Sequence, residues 1–387
     1  MPPFRFIHSS DLHLGKRFGT LPDPIRGHAT EARHAALHAL LDAAKAHQAS
    51  HILIAGDVFD TETPTDYVWR QALTVMNSQP DVHWWLLPGN HDSLAAESLW
   101  QRLDALAGDN VHLLKDADPV RMADGVMLLP APLTRKFPGA DLTAYMPGAD
   151  TDPQDLRIGL AHGAIQGFDE DGVRAQEVIP PDRAQTARLD YLALGDWHGA
   201  IQIGPRCWFS GTPERDGFKH DGSGACLAVT LDGAGAPPRV EQIRTGRLTW
   251  TDVALALLPG QDAAGALHAA LPPVAQRRQT LMRIRATGRA SLPEHSALRQ
   301  AAEEAAPEFG YFDLITEDLA TEFDQADLDA VLQGGALRMA ADDLGRAMTG
   351  GDPDSPDAAD GTTDEHSRRV ASAALNRLYG YLQEGQS

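Results

Sequence analysis

"LIAGDVFD", residues 53–60, begins as a strand and ends on acids. Leu53, Ile54 and Ala55 are apolar, Gly56 turns the chain, and Asp57 and Asp60 follow around Val58 and Phe59. One carboxylate at the mouth of a hydrophobic strand can cap a helix; two can hold a metal. The choice depends on what arrives at the ends of other strands.

Four further segments answer it. "SSDLHLG" (9–15) offers Asp11 and His13, and "GNHD" (89–92) offers Asn90, His91 and Asp92. "LAHG" (160–163) offers His162, and "LGDWHG" (194–199) offers Asp196 and His198. Each follows a strand-like run, where an α/β protein places its ligand-binding loops. Each pairs an oxygen or imidazole donor with a glycine, which lets the backbone turn tightly and approach a bound group. Carboxylates, an amide oxygen and imidazoles suit Mn²⁺, Fe²⁺ or Zn²⁺, and without a cysteine among them a structural zinc site is disfavoured. A carboxylate such as Asp57 can bridge two cations. Two-metal sites hold their ions roughly 3.5–4 Å apart and clamp an in-line displacement at phosphorus, while a nearby imidazole protonates the leaving oxygen. His34 and His38, four apart on a helix, lie away from the acidic loops and read as solvated or core. "SGTPERDGF" (210–218) follows a strand and reads either as an ordinary turn or as part of the site's rim.

Around these loops the chain has a clear order. "FRFIHSSD" (4–11), "HILIAGD" (51–57) and "VHWWLLPGNHD" (82–92) are strands. They alternate with helical runs at 30–48, 63–77 and 93–106, a βαβ pattern. In the first helix Ala36, Leu37, Leu40, Leu41 and Ala44 recur at helical spacing, and Thr30 is placed to cap it. After about residue 110 short strands dominate: "NVHLL", "VRMADGVMLLP", "RIGLAH", "YLALGD", "RCWFSG", "ACLAVTL" and "PPRVEQIRT". The expected fold is α/β, with two packed mixed β-sheets flanked by helices over residues 1–248. A small α+β capping domain is expected at 249–318 and a helical tail at 319–387. The tail is interrupted at 350–364 by "GGDPDSPDAADGTTD", which has almost nothing to bury and reads as a disordered linker. Beyond it, Ala371, Leu375, Leu378 and Leu382 form one stripe on a helix at 366–384. That helix either docks on its own domain or binds a partner.

Composition narrows the class. The chain has 387 residues, 43% hydrophobic and 22% charged, an ordinary globular balance with room for a large core. No apolar run is long enough to span a membrane, and no secretory signal is read at the N-terminus. Cys207 and Cys226 make no disulfide framework and read as free core thiols. A cytoplasmic protein is expected. The net charge of −21 argues mildly against a surface that wraps nucleic acid, but a metal-centred nuclease survives it.

The series D-x-H, G-D-x-x-D, G-N-H-D, H-G and G-x-x-H resembles the calcineurin-like metallophosphoesterases. The fuller spellings "SSDLHLGKRFG", "ILIAGDVFDTETP", "PGNHDS" and "YLALGDWHG" resemble the SbcD-type DNA repair exonucleases, nuclease subunits that pair with an SMC-like ABC ATPase. The likeness covers roughly residues 1–245. By that resemblance one metal takes Asp11, His13, Asp57 and His198, and the second takes Asp57, Asn90, His162 and Asp196. His91 becomes the general acid, with Asp60 and Asp92 orienting imidazoles or loops. It implies two divalent ions, Mn²⁺ foremost with Fe²⁺ or Zn²⁺ as alternatives, DNA as substrate and a homodimer. The family reads G-H-x-H where this chain has Gly195-Asp196-Trp197-His198. The shorter, harder carboxylate of Asp196 shifts the second site towards Mn²⁺, unless it faces away. Two other functions stay open: a phosphodiesterase or phosphatase of nucleotides and other small phosphoesters, and a non-catalytic scaffold for an ATPase.

Overall fold

The computed structural model describes residues 2–165, 178–220, 222–322, 335–349 and 365–384. The linker expected at 350–364 lies outside them. The chain divides into two compact units, Met1–Trp250 and Thr251–Ser387.

The first unit opens as β1 (Phe4–Ser9), α1 (Asp23–Ala46), β2 (His51–Ile54), α2 (Asp66–Asn77), β3 (His83–Leu86), α3 (Glu97–Asp104) and β4 (Val111–Leu113). It continues as β5 (Val120–Ala123), β6 (Val126–Ala131), β7 (Leu156–His162), α4 (Arg183–Thr186), β8 (Tyr191–Gly195), β9 (Ile201–Gly204), β10 (Cys207–Phe209), β11 (Gly222–Leu231) and β12 (Arg239–Leu257). One sheet runs β12-β11-β1-β2-β3-β4, and a second runs β5-β6-β7-β8-β10-β9. β1 to β4 are parallel, as are β6, β7 and β8. β11 joins β1 antiparallel. The fold is therefore the expected α/β arrangement of two packed mixed sheets flanked by helices.

Strand periodicity explains the packing. Ile52 and Ile54 of β2 face α1, α2 and α3, in a cluster with Leu37, Leu40, Trp69 and Leu99. Leu53, between them, faces the second sheet with Phe6, Trp85, Leu128, Ile158 and Tyr191. Because successive strand residues point to opposite faces, a strand covered on both must be apolar throughout. Each such Leu or Ile contributes about 1.5–3 kcal/mol by burial. β7 divides the same way: Leu156, Ile158 and Leu160 face inward, and Ala161 faces an outer cluster with Phe209 and Leu192.

Two local expectations are corrected. α1 begins at Asp23, seven residues before Thr30, with Pro24 in its first turn. Proline's fixed φ suits that turn, and the Thr30 hydroxyl donates back to the Arg26 carbonyl at 2.9 Å instead of capping. The strand expected from "PPRVEQIRT" does not end there: it runs on through Leu257, into the region expected to begin the capping domain, as one continuous strand, β12. Gly246 permits this: a Cβ there would lie 2.4 Å from the Gly224 nitrogen, opposite the register shift between Ser223 and Ala225.

The second unit contains the end of β12, then α5 (Ala263–Ala270), α6 (Val274–Arg277), β13 (Thr280–Ser291), α7 (Leu292–Ala305), β14 (Tyr311–Glu322), α8 (Ala336–Thr349) and α9 (Glu365–Glu384). β13 and β14 pair in parallel. Leu267, Met282, Ile284, Leu298 and Phe309 form their core. α9 packs within its own unit: Leu375 and Tyr379 are buried with Leu292 and Ala341, and Leu378 packs beside them. Its opposite face leaves Val370 54% and Tyr381 57% exposed. No described helix is long and apolar enough to cross a membrane.

Candidate metal centre

The five sequence segments converge where the parallel strands of both sheets end. Asp11 and His13 follow β1, Asp57 and Asp60 follow β2, and Asn90, His91 and Asp92 follow β3. His162 is the last residue of β7, and Asp196 and His198 follow β8. The first two loops are zipped together: Asp11, His13 and Leu14 donate their backbone N–H groups to the carbonyls of Gly56, Asp57 and Val58 at 2.9–3.1 Å. That close pairing uses unusual backbone. Asp11, His13 and Asp57 sit at φ 53°, 41° and 55°, and Asp196 at 107°. For non-glycine residues such conformations cost on the order of 1–3 kcal/mol each and persist where surrounding structure fixes them.

Three glycines of these motifs are steric necessities. A Cβ on Gly56, itself at φ 88°, would lie 2.2 Å from His162 Nδ1. On Gly89 it would lie 2.1 Å from Asp57 Oδ1, and on Gly195 1.9 Å from the Ala55 carbonyl. The bare backbone allows three loops from different strands to close on one point.

At that point the donor atoms face one another. His162 Nδ1 is 2.8 Å from the Ala55 carbonyl, so it carries the proton and Nε2 points inward. Nε2 lies 3.6 Å from Asp57 Oδ1 and 3.7 Å from Asp196 Oδ1. His13 Nε2 is 3.6 Å from Asp57 Oδ2 and 3.3 Å from His198 Nε2, which is 4.0 Å from Asp11 Oδ1. Asp196 faces inward, where Asn90 Nδ2 donates to its Oδ1 at 3.2 Å. Among the described residues, three sets bring their donor atoms within 4.8 Å of one another: Asp11/His13/His198, His13/Asp60/His91 and Asp11/Asp57/His162. Asp11, expected at one ion, stands in two of them.

The buried atoms His162 Nε2 and Asn90 Oδ1 have no hydrogen-bond partner. Buried polar atoms without partners are costly in a protein interior. Bare imidazole nitrogen, amide oxygen and clustered carboxylates fit divalent cations. The sequence profile of the calcineurin-like phosphoesterases matches residues 4–199, half of the chain. The chain belongs to the calcineurin-like phosphoesterase family.

Members of this family use a dinuclear divalent-metal site for hydrolysis, and this chain carries candidate Asp/His ligand clusters for one. It is 34% identical over 141 residues to the SbcD subunit of the nuclease SbcCD from Escherichia coli (strain K12), a match covering 34% of this chain and 33% of that protein. The same subunit from Escherichia coli O157:H7 matches to the same extent. "Uncharacterized metallophosphoesterase YhaO" of Bacillus subtilis (strain 168) is 26% identical over 209 residues, covering 50% of this chain and 48% of that one. The chain thus spans between a third and a half of the length of these relatives.

The remaining residues of the motifs support the phosphoesterase loops. Asp92 accepts from the Gly89 N–H at 2.8 Å and the Phe59 N–H at 3.0 Å, so it ties two loops together instead of orienting an imidazole. Burial and the nearby Asp57 push its pKa up to about 7. Asp60 Oδ1 lies 3.4 Å from His13 Nδ1, and its carbonyl is 2.8 Å from His91 Nδ1. The His91 N–H donates to Asp57 Oδ1 at 2.9 Å.

Electrostatics follow from crowding. Burial works to raise the Asp57 carboxyl, but the imidazoles of His162, His13 and His91 hold it below its usual range. Burial works to lower His162, yet Asp57, Asp11 and Asp196 raise it to about 9. Burial, with Asp11 and Asp57, lifts Asp196 to about 6.

Sequence reasoning missed three residues beside His198. Asp216 Oδ1 lies 3.4 Å from His198 Nδ1. Lys16 Nζ donates to Asp216 at 2.7 Å, and Arg33 Nη2 lies 3.4 Å from it. "SGTPERDGF" reads either as a turn or as part of the site's rim, and a lone aspartate in it gives no sign of an imidazole partner. Buried Arg33, in the middle of an otherwise apolar helix face, is the signal that was available.

Proposed function

We propose that this phosphoesterase is a metal-dependent phosphodiesterase that acts as a DNA repair nuclease with an SMC-like ABC ATPase partner. The observation that carries the chemistry is the convergence of His162 Nε2, which has no hydrogen-bond partner, on Asp57 Oδ1 and Asp196 Oδ1. The likeness to a nuclease subunit supports the DNA substrate. In this reading residues 1–248 are catalytic, 249–318 form the cap, and 319–387 are the partner-facing tail.

Asp11, His13, Asp57 and His198 would hold one ion, and Asp57, Asn90, His162 and Asp196 the other, with Mn²⁺ favoured by the oxygen-rich donor set. Bound there, the ions supply an activated water and positive charge against the phosphate oxygens. The protein's own atoms do the rest. Asp57 joins the two halves of the site. The Ala55 carbonyl holds the His162 Nδ1–H, so Nε2 is the atom that gives up its proton and faces the ions. The Asp60 carbonyl accepts the His91 Nδ1–H and orients the ring, so that in its imidazolium form the Nε2–H is the group that hands a proton to the leaving oxygen.

The test is hydrolysis by metal-stripped protein, with and without added Mn²⁺, of a labelled linear DNA duplex and of a chromogenic phosphodiester. Mn²⁺-dependent cleavage of both supports the nuclease reading. Cleavage of the small ester alone, in the presence of the ATPase, replaces it with a small-substrate phosphodiesterase. Cleavage of neither leaves a scaffold.

A further inference from the structure

We infer that Asp216 is a positioning residue for His198, and that Arg33 and Lys16 hold it in place. The inference rests on the metal-centre reading and adds a contact that the strand-end motifs do not contain.

His198 follows a strand end but lies beyond it, in a loop. His162 gives Nδ1 to the Ala55 backbone, and His91 gives Nδ1 to the Asp60 backbone. The matching atom of His198 faces the Asp216 carboxylate at 3.4 Å. A carboxylate only accepts, so this pairing selects the Nδ1–H tautomer and leaves Nε2 bare. Nε2 is the atom that meets His13 Nε2 at 3.3 Å and Asp11 Oδ1 at 4.0 Å. Such carboxylate–imidazole pairs fix ring orientation and raise ligand basicity.

Asp216 is itself held by buried charge. Arg33, 2% exposed, reaches from α1 with Nη1 on the Glu214 carbonyl at 2.6 Å and Nη2 towards Asp216 at 3.4 Å. Lys16 comes from the loop that carries His13 and donates to the same carboxylate oxygen at 2.7 Å. Asp216 Oδ2 is therefore anchored by two cations, while Oδ1 is turned to His198. Glu214, two residues away, accepts from the Arg247 and Leu248 N–H groups at 2.6 and 3.1 Å and fixes the turn that presents Asp216. The 210–218 segment is thereby tied to the first loop of the site through charge, which makes it more than a plain turn.

The test measures metal affinity, not turnover alone. In metal-stripped protein titrated with Mn²⁺, Asp216→Ala is expected to weaken one of the two ions about 10–100-fold and leave the other within twofold. Asp216→Asn, which retains an acceptor oxygen, is expected to recover part of that loss. A role confined to folding would lower the melting temperature and leave both affinities unchanged in the folded fraction. ¹⁵N spectra of the His198 ring, at a pH where it carries one proton, provide a second readout without metal. Wild type should show Nδ1–H, and Asp216→Asn should raise the Nε2–H population. Unchanged affinity for both ions, or Nε2–H in wild type, overturns the inference. Absence of DNA cleavage bears only on the substrate reading, because neither readout uses DNA.

Discussion

Replacing Gly56 by alanine probes the closure of the site at its tightest point. Two penalties combine. Gly56 sits at φ 88°, where an L-residue is disfavoured by about 1–2 kcal/mol. The new methyl would also lie 2.2 Å from His162 Nδ1, so the ring must move away from the Ala55 carbonyl it bonds at 2.8 Å. Leaving those buried groups unpaired costs about 1–3 kcal/mol. The sum is about 2–5 kcal/mol of stability. Because His162 Nε2 is displaced with the ring, divalent-ion affinity should fall as well. Denaturant unfolding of the metal-free protein measures the first effect, and Mn²⁺ titration at a temperature where the variant stays folded measures the second. Gly27→Ala is the control: it lies inside α1 with nothing within 4 Å of its Cβ position, and should stabilise by roughly 0.5–1 kcal/mol. A Gly56→Ala protein that unfolds at the wild-type denaturant concentration and binds ions as wild type does would refute the steric account.

Other outcomes follow from the same contacts. His91→Gln should retain both ions and lose about 10²–10⁴-fold in cleavage of an ordinary phosphodiester, with far less loss on a p-nitrophenyl ester whose leaving group needs no proton; equal losses on both substrates would remove His91 from the proton-transfer role. With His162 raised to about 9 in the metal-free protein, ion binding at pH 7 must displace its proton, so affinity should climb roughly tenfold per pH unit up to about 9; calorimetry in buffers of different ionisation heat would show no proton release if this is wrong. Burial, His83 and His112 lower His51 to about 4, so its neutral form stabilises the fold above pH 6.5 and that contribution fades as pH falls. His51→Gln should gain about 2 kcal/mol relative to wild type between pH 6.5 and 5, and a pH-independent difference in denaturation would contradict it. If α9 meets an ATPase, Val370→Asp with Tyr381→Asp should abolish co-purification while leaving the melting temperature within about 2 °C, since both side chains are exposed; retained co-purification places the contact elsewhere.

The strand-end motifs were legible because their chemistry is local. A donor following an apolar run, beside a glycine, says where the chain ends a strand and what it presents there. All ten expected site residues lie at strand ends or in the loops that follow them. What sequence withheld was non-local. Thr30 looks like a cap until Pro24 supplies an earlier start for α1. β12 runs on beyond "PPRVEQIRT" because Gly246, lacking a side chain, lets the strand pass Gly224, a contact that sequence does not display. Asp216 was invisible because its partners, Lys16 and Arg33, are about 200 residues away in sequence. Asp92 shows a related limit: spacing cannot tell a carboxylate that orients an imidazole from one that accepts two backbone N–H groups.

The most direct test of the account is a Mn²⁺ titration of metal-stripped protein, followed on the same samples by electron paramagnetic resonance. The account predicts two ions per chain, magnetically coupled through a shared Asp57 carboxylate, and loss of that coupling in Asp57→Asn. A single ion per chain, two uncoupled ions, or a coupled pair that survives Asp57→Asn would contradict it.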